Sequence, residues 1–304
     1  LSYQQLQQQV NAFACSLQKL GLEKGDRLAI WSPNCVEWTI TQFAAFKAGI
    51  ILVNLNPAYK SNELEYVLNK VSCKGVVIAS QFKTTDYQEI LTKIAPEVQE
   101  TEDKFLNAER LPHLKHVIKI DDQQHTGIHR FQDLLSSPGE QELQQLQQIS
   151  SELQFDETIN IQFTSGTTGN PKGTMLTHNN ILNNGYFVGE AIHLGPEDRV
   201  CISVPLFHCF GMVMGNLACI THGSAMIYPS AVFNPLETLK AIQQEKCTAA
   251  YGVPTMFIAI LEHEQFDEFD LSSLRTGIMA GSPCPQEIMQ RVIERMHMSE
   301  ITIC

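Results

Sequence analysis

Apolar residues in the first twenty positions step by three and four: Tyr3, Leu6, Val10, Phe13, Leu17 and Leu20. That spacing lines one face of a helix, and Gly21 is suited to end it. The pattern then changes. "RLAIW" (27–31) reads as a strand, 35–48 as a helix, "IILVN" (50–54) as a strand, 62–72 as a helix and "VVIAS" (76–80) as a buried strand. The alternation resumes later, with strands expected at 159–163, 200–204, 224–228, 248–252, 274–280 and 299–304. Helical patterns occupy 178–192, 209–220, 235–245, 254–262 and 285–297. Strands alternating with helices predict an α/β fold of mostly parallel sheets covered by helices.

Residues 96–150 have a different texture, with "HLKH", "DDQQHTGIH" and "SSPGEQELQQLQQ" and few apolar runs. Leu143, Leu146 and Ile149 keep a helical spacing, so "QELQQLQQ" reads as an exposed helix. The expected organisation is a first α/β subdomain over 1–95, a connecting region over 96–150 and a second subdomain over 151–304. His113/His116 and His125/His129 have helical ligand spacings, but no acidic or cysteine set accompanies them. They read as solvated surface.

Composition narrows the class. Of 304 residues, 43% are hydrophobic and 18% charged, the balance of a folded chain with ample core. A formal charge of −12 makes nucleic acid a poor partner, so any bound anion needs a local cradle. Nine scattered cysteines without a C-x-x-C pair fit neither a disulfide framework nor a zinc site. The most apolar stretches, 43–57 and 201–229, are interrupted by Lys47, Asn54, Pro205, His208 and Asn216, so no transmembrane segment is expected. The amphipathic start does not read as a signal peptide. The expected compartment is the cytoplasm, with the mitochondrial matrix as the alternative.

Candidate chemistry concentrates in "TSGTTGNPKGTMLTH", residues 164–178. "INIQF" before it alternates like a strand with two unlike faces, and Thr177 is placed to cap a helix starting near His178. Strand, glycine-rich turn and helix is a setting in which backbone N–H groups converge on phosphate. A Walker loop is excluded, because Pro171 stands where that motif needs glycine and Gly173 where it needs Ser or Thr. Thr164, Ser165, Thr167 and Thr168 supply hydroxyls, Gly166 and Gly169 allow close backbone approach, and Lys172 adds a point charge. Asn170 and Pro171 complete the loop. A Rossmann dinucleotide site is also unsupported, since "IWSPNC" after the first strand contains no glycine.

The segment "TSGTTGNPKG" resembles the signature loop of the adenylate-forming enzymes. "GDRLAIWSPNCVEWTITQFAAFKAGIILVNLNP", "VPLFHCFGM" (204–212), "YGVPTMF" (251–257) and "GIMAGSPCP" (277–285) follow the same family's order. "NPAYKSNELEYVLNKVSCKGVV" together with "GSPCP" is most similar to medium- and longer-chain fatty-acyl-CoA synthetases. The resemblance implies stacked βα subdomains and assigns the loop to the β- and γ-phosphates of ATP. It sets His208 beside the reacting carboxylate and lays the backbone of Gly281, Ser282 and Pro283 against the adenine. Phe207, Met212, Met214 and Met256 become candidates for the acyl channel.

The resemblance further implies ATP and Mg2+ as cofactors, with fatty acid and CoA as substrates; a homodimer stays open. Cys304 falls on an expected strand that, in the family, runs into a Tyr-Gly-x-Thr-Glu motif, followed by an aspartate, an arginine and a C-terminal lysine. The chain therefore reads as the N-terminal part of an AMP-forming fatty acid–CoA ligase, inactive alone. The alternative is a catalytically incompetent fragment of the same family that binds nucleotide or acyl-adenylate.

Overall fold

Helix formation begins at the second residue. Ser2 Oγ accepts the Gln5 N–H at 3.2 Å while Gln5 Oε1 accepts the Ser2 N–H at 2.8 Å, a reciprocal cap that opens α1 (Tyr3–Lys19). The computed structural model describes residues 1–304 apart from 101, 103 and 165–170. The chain divides into two compact units, Leu1–Asn179 and Asn180–Cys304. Both are α/β, with sheets that are parallel save for two hairpins among the described residues.

In the first unit the strands are β1 (Arg27–Trp31), β2 (Ile51–Asn54), β3 (Gly75–Ala79), the short hairpin β4 (Gln81–Phe82) and β5 (Thr85–Asp86), β6 (His116–Ile120), β7 (His129–Arg130), β8 (Thr158–Thr164) and β9 (Lys172–Thr177). The helices after α1 are α2 (Val36–Lys47), α3 (Ser61–Lys70), α4 (Tyr87–Ile94) and α5 (Glu140–Glu152). Among the described residues the main sheet has the order β7-β6-β3-β1-β2-β8-β9. Residues 96–150 thus add two strands to this sheet and are more than a connection. The core is organised around Trp31, stacked on Tyr87 at 3.8 Å, with the Tyr87 hydroxyl donating to Pro57 O at 2.8 Å.

The alternation of "INIQF" gives the expected strand, but its polar positions do not all face water. Asn160 is fully buried and its Nδ2 donates to Leu52 O and Asn54 Oδ1, each at 2.9 Å. The Asn160 amide N–H groups are thus paired inside the sheet, whereas Asn160 Oδ1 and Gln162 Nε2 are buried with no partner among the described residues.

The second unit continues from α6 (His178–Ala191), whose first two residues belong to the first. It contains β10 (Arg199–Ile202), a π-helical stretch Phe210–Leu217, α7 (Ala218–His222), β11 (Ala225–Ile227), α8 (Pro235–Glu245), β12 (Ala249–Gly252), α9 (Pro254–Leu261), β13 (Thr276–Met279), α10 (Gln286–Arg295) and β14 (Glu300–Ile303). The sheet order is β11-β10-β12-β13-β14, all parallel. The single α-helix expected over 209–220 is replaced by π- and then α-helical turns. α6 packs on them through glycine: a Cβ at Gly185 would lie 2.7 Å from Leu217 Cβ, and one at Gly189 would lie 2.3 Å from the His222 ring.

The amino ends of this sheet are tied together by one carboxylate. Asp198, 1% exposed, accepts from Thr248 Oγ1 at 2.6 Å, Gly195 N at 2.9 Å and Arg275 Nη2 at 2.7 Å. Arg275 also donates to His193 O at 2.7 Å and Glu300 Oε2 at 2.9 Å. Burial alone would raise the Asp198 carboxyl; the hydrogen bonds and the guanidinium outweigh it and hold it below its ordinary value. Arg275→Met leaves that carboxylate short of its countercharge. The expected loss is about 2–3 kcal/mol, below the full cost of breaking a buried pair because Arg275 is partly exposed; urea unfolding measures it.

In the first unit, His116 Nδ1 and His129 Nε2 lie 3.3 Å apart, on β6 and β7. Burial first, then His116 and Lys104, push His129 from 6.5 down to about 4. Because the folded value is the lower one, the unfolded chain takes up the proton first. Stability is therefore complete above pH 6.5 and falls as the pH drops toward 4. In His129→Leu that part of the slope should flatten, as read from unfolding midpoints across the pH range.

Candidate active site

Parallel strands in the second unit deliver their exiting segments to one edge. From β10 the chain passes to β11 on one side and then to β12 on the other. The reversal falls between β10 and β12, and the carboxyl ends of strands at such a point are the place where open parallel sheets take ligands. Residues 203–209 leave β10, Val253 leaves β12, and 280–285 leave β13.

His208 sits in the first of these segments. Its N–H donates to Pro205 O at 3.2 Å, and its carbonyl accepts from Gly211 and Met212 N–H at 3.0 and 3.1 Å. The winding excludes a side chain at 211, where a Cβ would lie 2.3 Å from Pro205 O. Gly211 is a positional requirement that no sequence motif signals. The His208 Nδ1 accepts the Phe210 N–H at 3.1 Å and lies 3.6 Å from Cys209 Sγ. The neutral ring then carries its proton on Nε2. His208 is exposed, yet partial desolvation holds its imidazole below the ordinary range. At pH 7 the side chain is a neutral donor, suited to hydrogen-bonding an oxygen rather than to neutralising a charge.

Gly281 follows β13 with φ +86, a left-handed conformation that favours glycine. A Cβ there would lie 3.0 Å from Val253 Cγ1, so this segment touches the one leaving β12. Gly281, Ser282 and Pro283 are exposed, which leaves their backbone open to a flat ring. Phe207 and Met256 are half-buried, whereas Met212 and Met214 are buried in the π-helical stretch. These two methionines serve the core.

The phosphate-loop candidates belong to the first unit. Thr164 and Lys172 pair across the open end of the β8–β9 hairpin, and both are exposed. Ser165, Gly166, Thr167, Thr168, Gly169 and Asn170 lie outside the described residues. Pro171 O accepts from the Tyr66 hydroxyl at 3.4 Å, a contact from α3 that the sequence pattern does not reveal. The expected strand, loop and helix becomes strand, loop, strand and helix, because Lys172–Thr177 pairs antiparallel with β8 before α6 starts. The described residues on either side of 165–170 are thus paired strands, and α6 begins only after β9.

The chain belongs to the AMP-binding enzyme family, whose model matches residues 1–304. It is 45% identical over 302 residues to the Bacillus subtilis (strain 168) protein YngI, covering 99% of this chain and 55% of that one. It is 44% identical over 308 residues to the mitochondrial medium-chain acyl-CoA ligase ACSF2 of Mus musculus, covering 100% and 50%. The chain therefore spans about half the length of these relatives. The same fold is found in the anthranilate CoA ligase AuaEII crystallised with anthranoyl-AMP, with a TM-score of 0.81 at 24% identity, over 99% of this chain and 54% of that one.

One buried group of the second unit is unsatisfied among the described residues. Tyr251, on β12, stacks on Phe210 at 5.8 Å, and its hydroxyl is buried without a hydrogen-bond partner. An unpaired buried hydroxyl costs about 1–3 kcal/mol. Tyr251→Phe should therefore raise the urea unfolding midpoint, the opposite of the usual effect of a core substitution.

Proposed function

We propose that this chain carries the nucleotide and carboxylate sites of an AMP-forming fatty acid–CoA ligase, an acid–thiol ligase acting on a medium-chain acid. The observation that carries the reading is the strand-order reversal at β10/β12, with exposed His208 in the segment leaving β10 and exposed Gly281–Pro283 in the segment leaving β13, in a chain of the AMP-binding family. The acyl-chain class follows from the medium-chain relative, which is 44% identical.

In this reading Lys172, Thr164 and the loop 165–171 hold the β- and γ-phosphates of ATP. The adenine lies along Gly281–Pro283, and His208 Nε2–H orients the fatty carboxylate. A carboxylate oxygen attacks the α-phosphorus and pyrophosphate leaves, giving the acyl-adenylate. The CoA thiol then attacks the acyl carbon and AMP leaves. Lys172 contributes where negative charge grows on the departing pyrophosphate, the point at which a fixed cation is most effective. Magnesium, when bound, would neutralise the same phosphates. His208 has a positioning part, since a neutral donor aligns an oxygen without taking its proton.

Lys172→Ala in the full-length protein tests the assignment by fatty-acid-dependent ATP–pyrophosphate exchange. The expected loss in kcat/KM for ATP is about 100- to 1,000-fold, the range for removing one transition-state donor. Affinity for a preformed acyl-adenylate, which has lost the β- and γ-phosphates, should stay near the parent value. Equal losses in both would remove Lys172 from the phosphate site.

A further inference from the structure

The first unit has a second cleft, at the end of its sheet opposite Thr164 and Lys172. It opens where β2 and β8 begin, and β8 alone separates the two ends by ~20 Å. The cleft has two lobes that share the His178 ring, enclosing about 520 and 390 Å3. Both are within the size range of small-molecule sites.

The larger lobe has aromatic walls. Phe43 and Phe46 meet edge to face at 6.4 Å, and Phe46 stands edge-on to His178 at 6.3 Å. Phe155, 70% exposed, forms the rim and leaves a full ring in water. The neighbouring wall is fixed, because Leu153 packs so closely on Gly49 that a Cβ there would lie 2.7 Å from its Cδ2.

The charge in this lobe is one-sided. Lys47 is the single charged residue of its lining, with Nζ donating to Asn11 Oδ1 at 2.7 Å. No acid balances it, on a chain of formal charge −12. In the smaller lobe Lys24 is paired with Glu157 at 2.6 Å, so that lobe is neutral where the larger one is positive. Burial holds His178 below its ordinary range, which keeps the ring neutral at pH 7. Its Nε2 is buried with no partner among the described residues, so the ring meets the cleft by its apolar edge. An open apolar groove whose lining carries one ammonium and no acid favours a molecule with an apolar body and a single negative end.

We propose that this cleft binds an amphipathic monocarboxylate, its body against Phe43, Phe46 and Phe155 and its carboxylate on the Lys47 ammonium. The site is built by the first unit alone and shares no residue with the nucleotide and His208 sites. Its success or failure is therefore separate from that of the ligase reading.

The test is NMR of the full-length protein labelled at histidine Cε1, with the His178 signal identified by its loss in His178→Gln. Octanoate should shift that signal saturably, while octylammonium, with the same chain and opposite charge, should not. Lys47→Met should weaken octanoate by about fivefold, the effect of losing one partly exposed ion pair, and Lys47→Arg should restore it. Phe46→Ser should abolish the shift, with thermal unfolding showing that each variant is folded. Octanoate at the His208 site would move the His208 signal instead. A His178 signal unmoved by millimolar octanoate, equal binding of octylammonium, or a folded Lys47→Met with parental affinity would overturn the proposal.

Discussion

The Asp198 carboxylate is the constraint on which the second unit depends. A charge that deep is tolerated only when it is hydrogen-bonded and paired, and the groups that do so come from three places in the chain. Thr248 precedes β12, Arg275 precedes β13, Gly195 follows α6, and Arg275 reaches on to Glu300 at the start of β14. One ion thereby fixes the amino ends of the sheet. The carboxyl ends are left without such a tie, and that is where the exposed His208 and Gly281–Pro283 lie. Rigidity at one edge and open backbone at the other is the arrangement a ligand site needs from a scaffold.

The first unit divides its labour along the same axis. Its buried polar pair of Asn54 and Asn160 holds β2 and β8 together inside the sheet. β9 is paired on one side only and is largely exposed, so Thr164 and Lys172 stand at the tip of a hairpin clear of the core. The strand that carries Lys172 is thus anchored through backbone hydrogen bonds rather than side-chain packing. Pro171, just ahead of β9, is tied to α3 through the Tyr66 hydroxyl.

Much of the architecture was legible in the sequence because most elements bury one face. The helix read at 235–245 is found with those bounds, since Asn234 caps it, Pro235 suits its first turn and Lys246 leaves it in a left-handed conformation. The strands that escaped are those whose pattern is set by neighbours. β6 starts with His116 and includes Lys119, both buried and hydrogen-bonded to side chains, so "HVIKI" looked polar. β9 is an edge strand with little buried surface, and its composition carries no alternation. Of the candidate site, the glycine, threonine and lysine loop was readable because its chemistry is local. Gly211 and Tyr251 were not, because their significance lies in a carbonyl at Pro205 and in the lack of any partner for a hydroxyl, neither of which a linear pattern records.

The π-helical stretch has a consequence for chain length. Bonding each N–H to the carbonyl five residues back accommodates one residue more per turn than an α-helix does. Phe210–Leu217 therefore stores a residue that regular helix would not need. A one-residue deletion within it has an available outlet, in which the backbone reverts to the tighter pitch. Everything ahead of the deletion would then be wound around the helix axis relative to α7, and His208 is two residues ahead of Phe210. In this fold the direction of the candidate carboxylate-binding imidazole is set partly by a count of residues, so an indel could re-aim it where a substitution would leave it in place.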